Sequence, residues 1–171
     1  QSELHLAMEY VPDPAGVLAR LNDIMYARSR HGAFVTLLLV LLQPDRHAAT
    51  VLSAGHPPPL VYSPADRRVR LLERKNGLPL GVLPGQTYEP TPVHLPPGTA
   101  LLAYTDGVVE ARNSDGQEFG LERLEALFAE AAQAGRPVVP LVQERLRAFM
   151  GGAAQYDDIT LAVVRAGGAQ A

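Results

Sequence analysis

The sequence predicts an α+β fold in which two antiparallel β-sheets pack face to face between layers of helices, a four-layer α/β/β/α sandwich. Continuous apolar runs at 34–43 and 100–104 are typical of strands buried on both faces. Turn signals rich in Gly, Pro and Asp separate short apolar stretches along the middle of the chain, as in hairpins. Segments near both ends carry apolar residues at helical spacing on one side only, which predicts helices on the outer faces.

The helices are predicted from start and stop signals. Residues 1–10 show a helical pattern without a start signal, so we expect a helix entered midway and a chain truncated at its N-terminus. A second helix is predicted from Pro14, with Asp13 as its N-cap. Two amphipathic helices in the last third are expected to stop at Gly135 and Gly151.

The strands are predicted as an antiparallel meander between the early and late helices. Short apolar runs separated by turn residues favour one hairpin over residues 34–55. They favour a second hairpin over residues 59–73, with its turn at Ser63 to Asp66. Further strands are expected in 88–95, 100–104 and 157–165. No repeat or linker interrupts the chain, so residues 1–171 are predicted to form one domain.

Composition excludes several classes of function. The formal net charge is only -3 and no basic block is present, so neither nucleic acid nor a membrane surface is an expected partner. The absence of cysteine excludes a thiolate nucleophile and fits a reducing compartment, from which we expect a cytoplasmic location. The longest apolar run is about half of the ~20 residues that a membrane-spanning helix requires.

Two carboxylates stand at matching ends of apolar strands. Asp106 follows the run at 100–104, and Asp157 opens the last strand. If these strands are antiparallel neighbours, the end of one meets the start of the other, and both carboxylates lie at one edge. Oxygen ligands suit Mg²⁺ or Mn²⁺, so the pair predicts a cation site. Taken singly, each Asp is better explained as a residue of a turn or of a strand start, and only the pair together favours a metal site.

Six segments in order carry a resemblance to a known family: "FVTLLLVLL", "LSAGHPPPLVY", "GLPLGV", "LLAYTDGVVEARN", "FGLERL" and "DDITLAVVR". Together they resemble the metal-dependent serine/threonine phosphatases of the protein phosphatase 2C superfamily, in particular the bacterial sporulation stage II protein E and stress-regulator phosphatase branch. The resemblance extends from about residue 13 to residue 165. No single segment is decisive, but six in register are highly specific.

The resemblance implies roles for individual residues. Asp106 and Asp157 match two metal-binding, catalytic carboxylates of the family. Asp158 stands where relatives of the wider superfamily often have Asn, so it is expected to support these two carboxylates. Thr105 and Gly107 are expected to shape the turn that aims Asp106. His56 falls where distant relatives carry an acidic residue near the metals, so it is a candidate at the edge of the site. A loop histidine that holds the turn before three prolines explains His56 equally well.

One family motif is absent from this chain. A Gly-Asp motif upstream of the first helix supplies the family's bridging aspartate, and no Gly-Asp dipeptide occurs among the 171 residues. The resemblance implies two Mn²⁺ or Mg²⁺ ions in a complete domain, which hydrolyse phosphoserine or phosphothreonine without a side-chain nucleophile. Because the bridging aspartate is missing from these 171 residues, we expect the isolated chain to be weakly active or inactive.

The resemblance also implies partners and leaves alternatives open. The expected substrate is a phosphoprotein such as an anti-sigma factor antagonist, and a sensor or regulatory domain is expected upstream. The sequence neither favours nor excludes a homodimer. A catalytically dead phosphatase-like domain that regulates a partner is the first alternative, and a pure binding or dimerisation module is the second.

Overall fold

The computed structural model describes residues 13–28, 32–43, 47–72 and 77–167. These residues fall into two compact units. The first contains the described residues up to His56 and those from 77 to 94, and the second contains 57–72 and 95–167. No helix in the described ranges is long and apolar enough to cross a membrane.

Seven strands and four helices make up the described chain. The strands are β1 Leu37–Gln43, β2 Ala48–Ala54, β3 Leu60–Ser63, β4 Arg68–Leu71, β5 Thr91–His94, β6 Ala100–Tyr104 and β7 Leu161–Arg165. The helices are α1 Pro14–Arg28, α2 Asp106–Val109, α3 Leu121–Gln133 and α4 Val138–Met150.

The first unit is built on a three-stranded antiparallel sheet in the order β1-β2-β5. Helix α1 begins as predicted, since the carboxylate of Asp13 accepts hydrogen bonds from the backbone N–H groups of Ala15 and Gly16, both at 3.1 Å. Leu18 of α1 and Leu52 of β2 are fully buried in the core of this unit. The helix therefore packs its apolar stripe against the sheet.

The second unit is built on a four-stranded antiparallel sheet in the order β4-β3-β6-β7. Helix α3 packs against β3 and β4, and α4 packs against α3 and β7. Leu102 of β6 and Phe128 of α3 are fully buried in the shared core. Helix α4 ends at Gly151, whose φ of 57° is left-handed, as predicted for a C-terminal glycine stop.

The structure confirms the α+β class and both hairpins and corrects two expectations. The consecutive meander is wrong, because β3 pairs with β6 while β5 returns to β2, which divides the strands between two sheets. Burial of 34–43 on both faces is also wrong. Leu42 is 50% exposed, and β1 is an edge strand among the described strands of its sheet. The helix expected over 1–10 lies outside the described residues, and the face-to-face packing of the sheets and the single domain stay predictions.

Candidate functional site

Thr105 joins the end of β6 to the segment that precedes β7. The two strands pair up to Tyr104 and Leu161. The Thr105 hydroxyl then donates to the carbonyl oxygen of Asp158 at 2.8 Å and accepts from the N–H of Thr160 at 2.9 Å. The Thr105 N–H also donates to the carbonyl oxygen of Thr160 at 3.1 Å. The predicted adjacency of these two strands is thus confirmed, and a side chain extends the ladder beyond them.

Asp106 is the first residue of the single helical turn α2, rather than part of a simple strand-to-strand turn. Thr105 precedes it in an extended conformation, with φ -85° and ψ 156°. One carboxylate oxygen of Asp106 accepts from the N–H of Gly107 at 3.1 Å, and its carbonyl oxygen accepts from the N–H of Glu110 at 2.9 Å. Asp106 is exposed, so its carboxylate is accessible from solvent.

Asp157 and Asp158 lie in an exposed segment before β7. The expected strand start at Asp157 is wrong, since β7 begins only at Leu161. Between these residues the Thr105 hydroxyl bonds to Asp158 and Thr160 take the place of regular strand pairing. One carboxylate oxygen of Asp157 accepts from the N–H of Asp158 at 2.7 Å. The side-chain amide of Gln155 donates to the Asp157 carbonyl oxygen at 2.8 Å. These bonds fix the backbone that carries Asp157.

Gly107 lies directly against the backbone of Asp157 and Asp158. A Cβ atom at Gly107 would lie 2.5 Å from the carbonyl oxygen of Asp158 and 3.3 Å from the carbonyl carbon of Asp157. Gly107 does not have positive φ, so close approach, and not conformational freedom, requires glycine here. The residue after Asp106 is therefore in contact with the segment that carries the second candidate carboxylate.

His56 belongs to the first unit and is held at its backbone. The Ser53 hydroxyl accepts from the His56 N–H at 3.2 Å and donates to its carbonyl oxygen at 3.3 Å. The ring Nδ1 lies 3.5 Å from the Thr36 hydroxyl oxygen. These contacts are those expected of a loop histidine that holds the turn before the prolines. The candidate role of His56 at the edge of a metal site stays a prediction.

A cleft of about 630 Å³ opens beside Asp157 in the second unit. No pattern in the sequence indicates this cleft, because its two walls are separated by more than thirty residues and meet only in the folded chain. One wall is formed by residues 107–116, which include the turn held by the Asn113 side chain. The second wall is formed by residues 150–157 at the end of α4 and beyond it. The cleft is lined by Gly107, Glu110, Ala111, Arg112, Asn113, Ser114, Gly116, Met150, Ala153, Ala154, Gln155, Tyr156 and Asp157.

The donor chemistry at this edge fits a hard cation in part. Asp106 and Asp157 offer carboxylate oxygens from two segments in backbone contact, and such oxygens are the ligands that Mg²⁺ and Mn²⁺ take. Within the described ranges no group of three or more His, Cys, Asp or Glu side chains is arranged to hold a metal ion. The described residues thus supply oxygen ligands, but fewer than a complete protein cage.

Comparison with known proteins gives consistent matches. The family model described as Stage II sporulation protein E (SpoIIE) matches residues 1–167. Phosphoserine phosphatase RsbU of Bacillus subtilis (strain 168) is 31% identical over an alignment of 171 positions, which covers 96% of this chain and 50% of that protein. Protein IcfG of Synechocystis sp. is 28% identical over 146 residues, 84% of this chain and 22% of that protein. The chain thus spans half or less of the length of these curated relatives.

Solved structures match over nearly the whole chain. The RsbU and RsbW domains of Rv1364c from Mycobacterium tuberculosis match with a TM-score of 0.72 and 26% identity, covering 95% of this chain and 44% of that one. RsbX, solved in complex with magnesium, shares the fold with a TM-score of 0.60 and 18% identity, covering 93% of this chain and 68% of that one. The chain belongs to the Stage II sporulation protein E family and has the fold of its protein phosphatase 2C-type phosphatase domains.

Proposed function

We propose that this chain is the larger part of a metal-dependent protein serine/threonine phosphatase domain. Its substrate would be phosphoserine or phosphothreonine on a regulatory phosphoprotein, such as an anti-sigma factor antagonist. The observation that carries the proposal is the backbone contact of Gly107 with Asp157 and Asp158, which joins the segments of two candidate metal carboxylates in a member of the SpoIIE family. RsbU, a relative over 96% of the chain, is a phosphoserine phosphatase.

Each residue at this edge has a distinct task in the proposal. Asp106 and Asp157 would hold Mn²⁺ or Mg²⁺, which when bound supplies an activated water and offsets charge on the phosphoryl oxygens. Asp158 would support them electrostatically. Thr105 fixes the distance between the two segments through its hydroxyl, and Gly107 allows their close approach. No serine, histidine or lysine is required as a nucleophile.

The relatives of this chain also support the proposed partners. RsbU and the RsbU–RsbW protein of Mycobacterium tuberculosis are related to this chain over most of its length. We therefore include an upstream sensor or regulatory domain and a cytoplasmic phosphoprotein substrate in the proposal. A homodimer is compatible with it but is not needed for the chemistry.

A catalytically dead regulatory domain is the second candidate function. It is favoured by one specific observation, that the described part of the chain contains no group of three metal-binding side chains. A domain of this kind would bind the phosphoprotein through the same edge without turnover. Metal dependence of activity in the full-length protein separates the two candidates.

The Asp106→Asn variant of the full-length protein tests the proposal. We expect the rate of Mn²⁺-dependent hydrolysis of a phosphoserine protein substrate to fall by more than about 100-fold. Loss of a metal ligand lowers activity more than loss of a group that only orients a ligand. The exposed side chain contributes no core packing, so the thermal unfolding midpoint should change little. Initial rates and circular dichroism measure both quantities.

Glu144→Gln is the matched control. Glu144 is an exposed carboxylate on α4, outside the candidate site, and its removal changes the net charge by the same amount. Its activity should equal that of the unmodified protein. Full activity of Asp106→Asn would overturn the proposed role of Asp106, and an unmodified full-length protein without any metal-dependent turnover would favour the regulatory candidate.

A further inference from the structure

We propose that the cleft beside Asp157 binds the peptide that flanks the phosphorylated residue of the substrate, and that Glu110 selects a Lys or Arg in that peptide. The inference rests on the proposed phosphatase function and adds the sequence preference of its substrate. It is carried by the position of the cleft, the chemistry of its walls and the balance of charge along them.

The position of the cleft places it next to the proposed chemistry. Gly107 and Asp157 line the cleft and also belong to the two segments in contact at the candidate metal edge. A phosphoserine whose phosphate lies at that edge has its neighbouring residues within reach of the cleft. Its volume of about 630 Å³ is that of an ordinary ligand pocket, large enough for several side chains of an extended peptide.

The walls of the cleft combine apolar and polar groups. Met150, Ala153 and Ala154 form an apolar part that suits aliphatic portions of side chains. Tyr156 is 84% exposed at the cleft, and an exposed aromatic ring of this kind is a frequent anchor at protein interfaces. A wall of this composition fits a peptide better than it fits a free inorganic anion.

The charges along the cleft leave one acidic group without compensation. Of the three charged residues that line the cleft, Arg112 is paired with Glu118 at 2.8 Å, and the charge of Asp157 would be offset by a bound cation. Glu110 is exposed and has no ion-pair partner among the residues that the structure describes. A cationic side chain on the peptide would supply that partner, whereas an acidic one would be repelled.

The wall that carries Arg112 is held in place before any ligand binds. The Asn113 side chain accepts from the N–H groups of Asp115 at 3.1 Å and Gln117 at 2.9 Å. Arg112 and Glu118 are also joined by a β-bridge. A preformed wall reduces the ordering cost of binding, so a modest charge contact can set a measurable preference.

The test uses the full-length protein and four sets of phosphoserine peptides, one set for each position one or two residues before or after the phosphoserine. Within a set the three peptides differ only in having Lys, Leu or Glu at that position. We expect kcat/KM to be about 5- to 10-fold higher for the best Lys peptide than for its Glu counterpart. Glu110→Gln should remove this preference, and Glu110→Arg should invert it. Glu144→Gln is the matched control, and its preference should equal that of the unmodified protein.

A binding measurement keeps this proposal separate from the proposed activity. Fluorescence anisotropy of the labelled peptides with the full-length Asp106→Asn protein should show the same order of affinities, and Glu110→Arg added to that protein should invert it. Equal affinities for the Lys and Glu peptides, or a preference unchanged in both Glu110 variants, would overturn the peptide site. If p-nitrophenyl phosphate and all peptides resist hydrolysis while the binding preference persists, the phosphatase function fails and the peptide site stands.

Discussion

At the scale of the residue, Gly107 gives the sharpest test of how the candidate site is assembled. A Cβ atom in Gly107→Ala would lie 2.5 Å from the Asp158 carbonyl oxygen, and backbone cannot yield as a flexible side chain can. The segment at 157–158 must therefore move. We expect the free energy of unfolding to fall by about 1–3 kcal/mol, although alanine normally stabilises a helical position, together with a loss of Mn²⁺-dependent activity. Urea unfolding and initial rates measure the two effects.

Gly167→Ala is the control for this substitution. A Cβ atom at Gly167 meets nothing within 4 Å, and its φ is not positive, so the free energy of unfolding should change by less than about 0.5 kcal/mol. Wild-type stability in Gly107→Ala would mean that the contact between the two segments is looser than the structure indicates.

At the scale of the element, α1 holds the loop that follows Gly77 through buried polar groups. The Asn22 side chain is fully buried, donates to the Leu83 carbonyl oxygen at 2.9 Å and accepts from the Gly81 N–H at 3.0 Å. The Tyr88 hydroxyl donates to the Leu78 carbonyl oxygen at 3.2 Å. The loop is thus attached to α1 by satisfied hydrogen bonds and not by apolar packing alone.

These contacts predict a pH dependence of stability. Burial, and to a smaller degree the negative charge of Asp23, raises the pKa of Tyr88 above its ordinary value of 10.0. Above that pH the unfolded chain releases the Tyr88 proton while the folded chain retains it, so the unfolded state binds fewer protons and stability falls as pH rises. Between pH 9 and pH 11 the free energy of unfolding should fall less in Tyr88→Phe than in the unmodified protein, as measured by urea unfolding.

Tyr26→Phe is the matched control for the pH series. Tyr26 is 45% exposed on the same helix that contacts the loop, so its replacement should leave the alkaline decline in stability unchanged. An equal decline in the Tyr88→Phe and unmodified proteins would show that the Tyr88 hydroxyl ionises as readily in the folded state as in the unfolded state.

At the scale of the whole molecule, metal should be required for activity but held weakly by these 171 residues alone. EDTA should abolish hydrolysis of p-nitrophenyl phosphate by the full-length protein, and Mn²⁺ should restore it. Asp106 and Asp157 leave most of a cation's coordination to water. We therefore expect the Kd for Mn²⁺ to be at least about 10-fold higher for the 171-residue chain than for the full-length protein. Isothermal titration calorimetry compares the two proteins, and equal affinities would contradict this expectation.

Local signals in the sequence were sufficient for most elements. The Asp13 cap, the helical stop at Gly151 and the turn between β3 and β4 each depend on contacts between residues close in the chain, and all three are present. The sequence also placed Asp106 and Asp157 at the meeting ends of neighbouring strands. The pairing of those two strands is confirmed, whereas the metal-binding roles of Asp106 and Asp157 stay predictions.

Periodicity, capping and turn chemistry act over a few residues, so the sequence was sufficient to predict α1, α3 and α4, both hairpins and the α+β class. It did not predict the helical turn α2 that begins at Asp106. Three features could be seen only in the folded chain: β5 returns to β2, β1 lies at the edge of the described strands of its sheet, and Gly107 has no room for a side chain. The cleft between the segments after α2 and α4 could likewise be seen only there. These features depend on which distant segments meet, and strand partners are chosen by the packing of the whole core rather than by the pattern of any one strand.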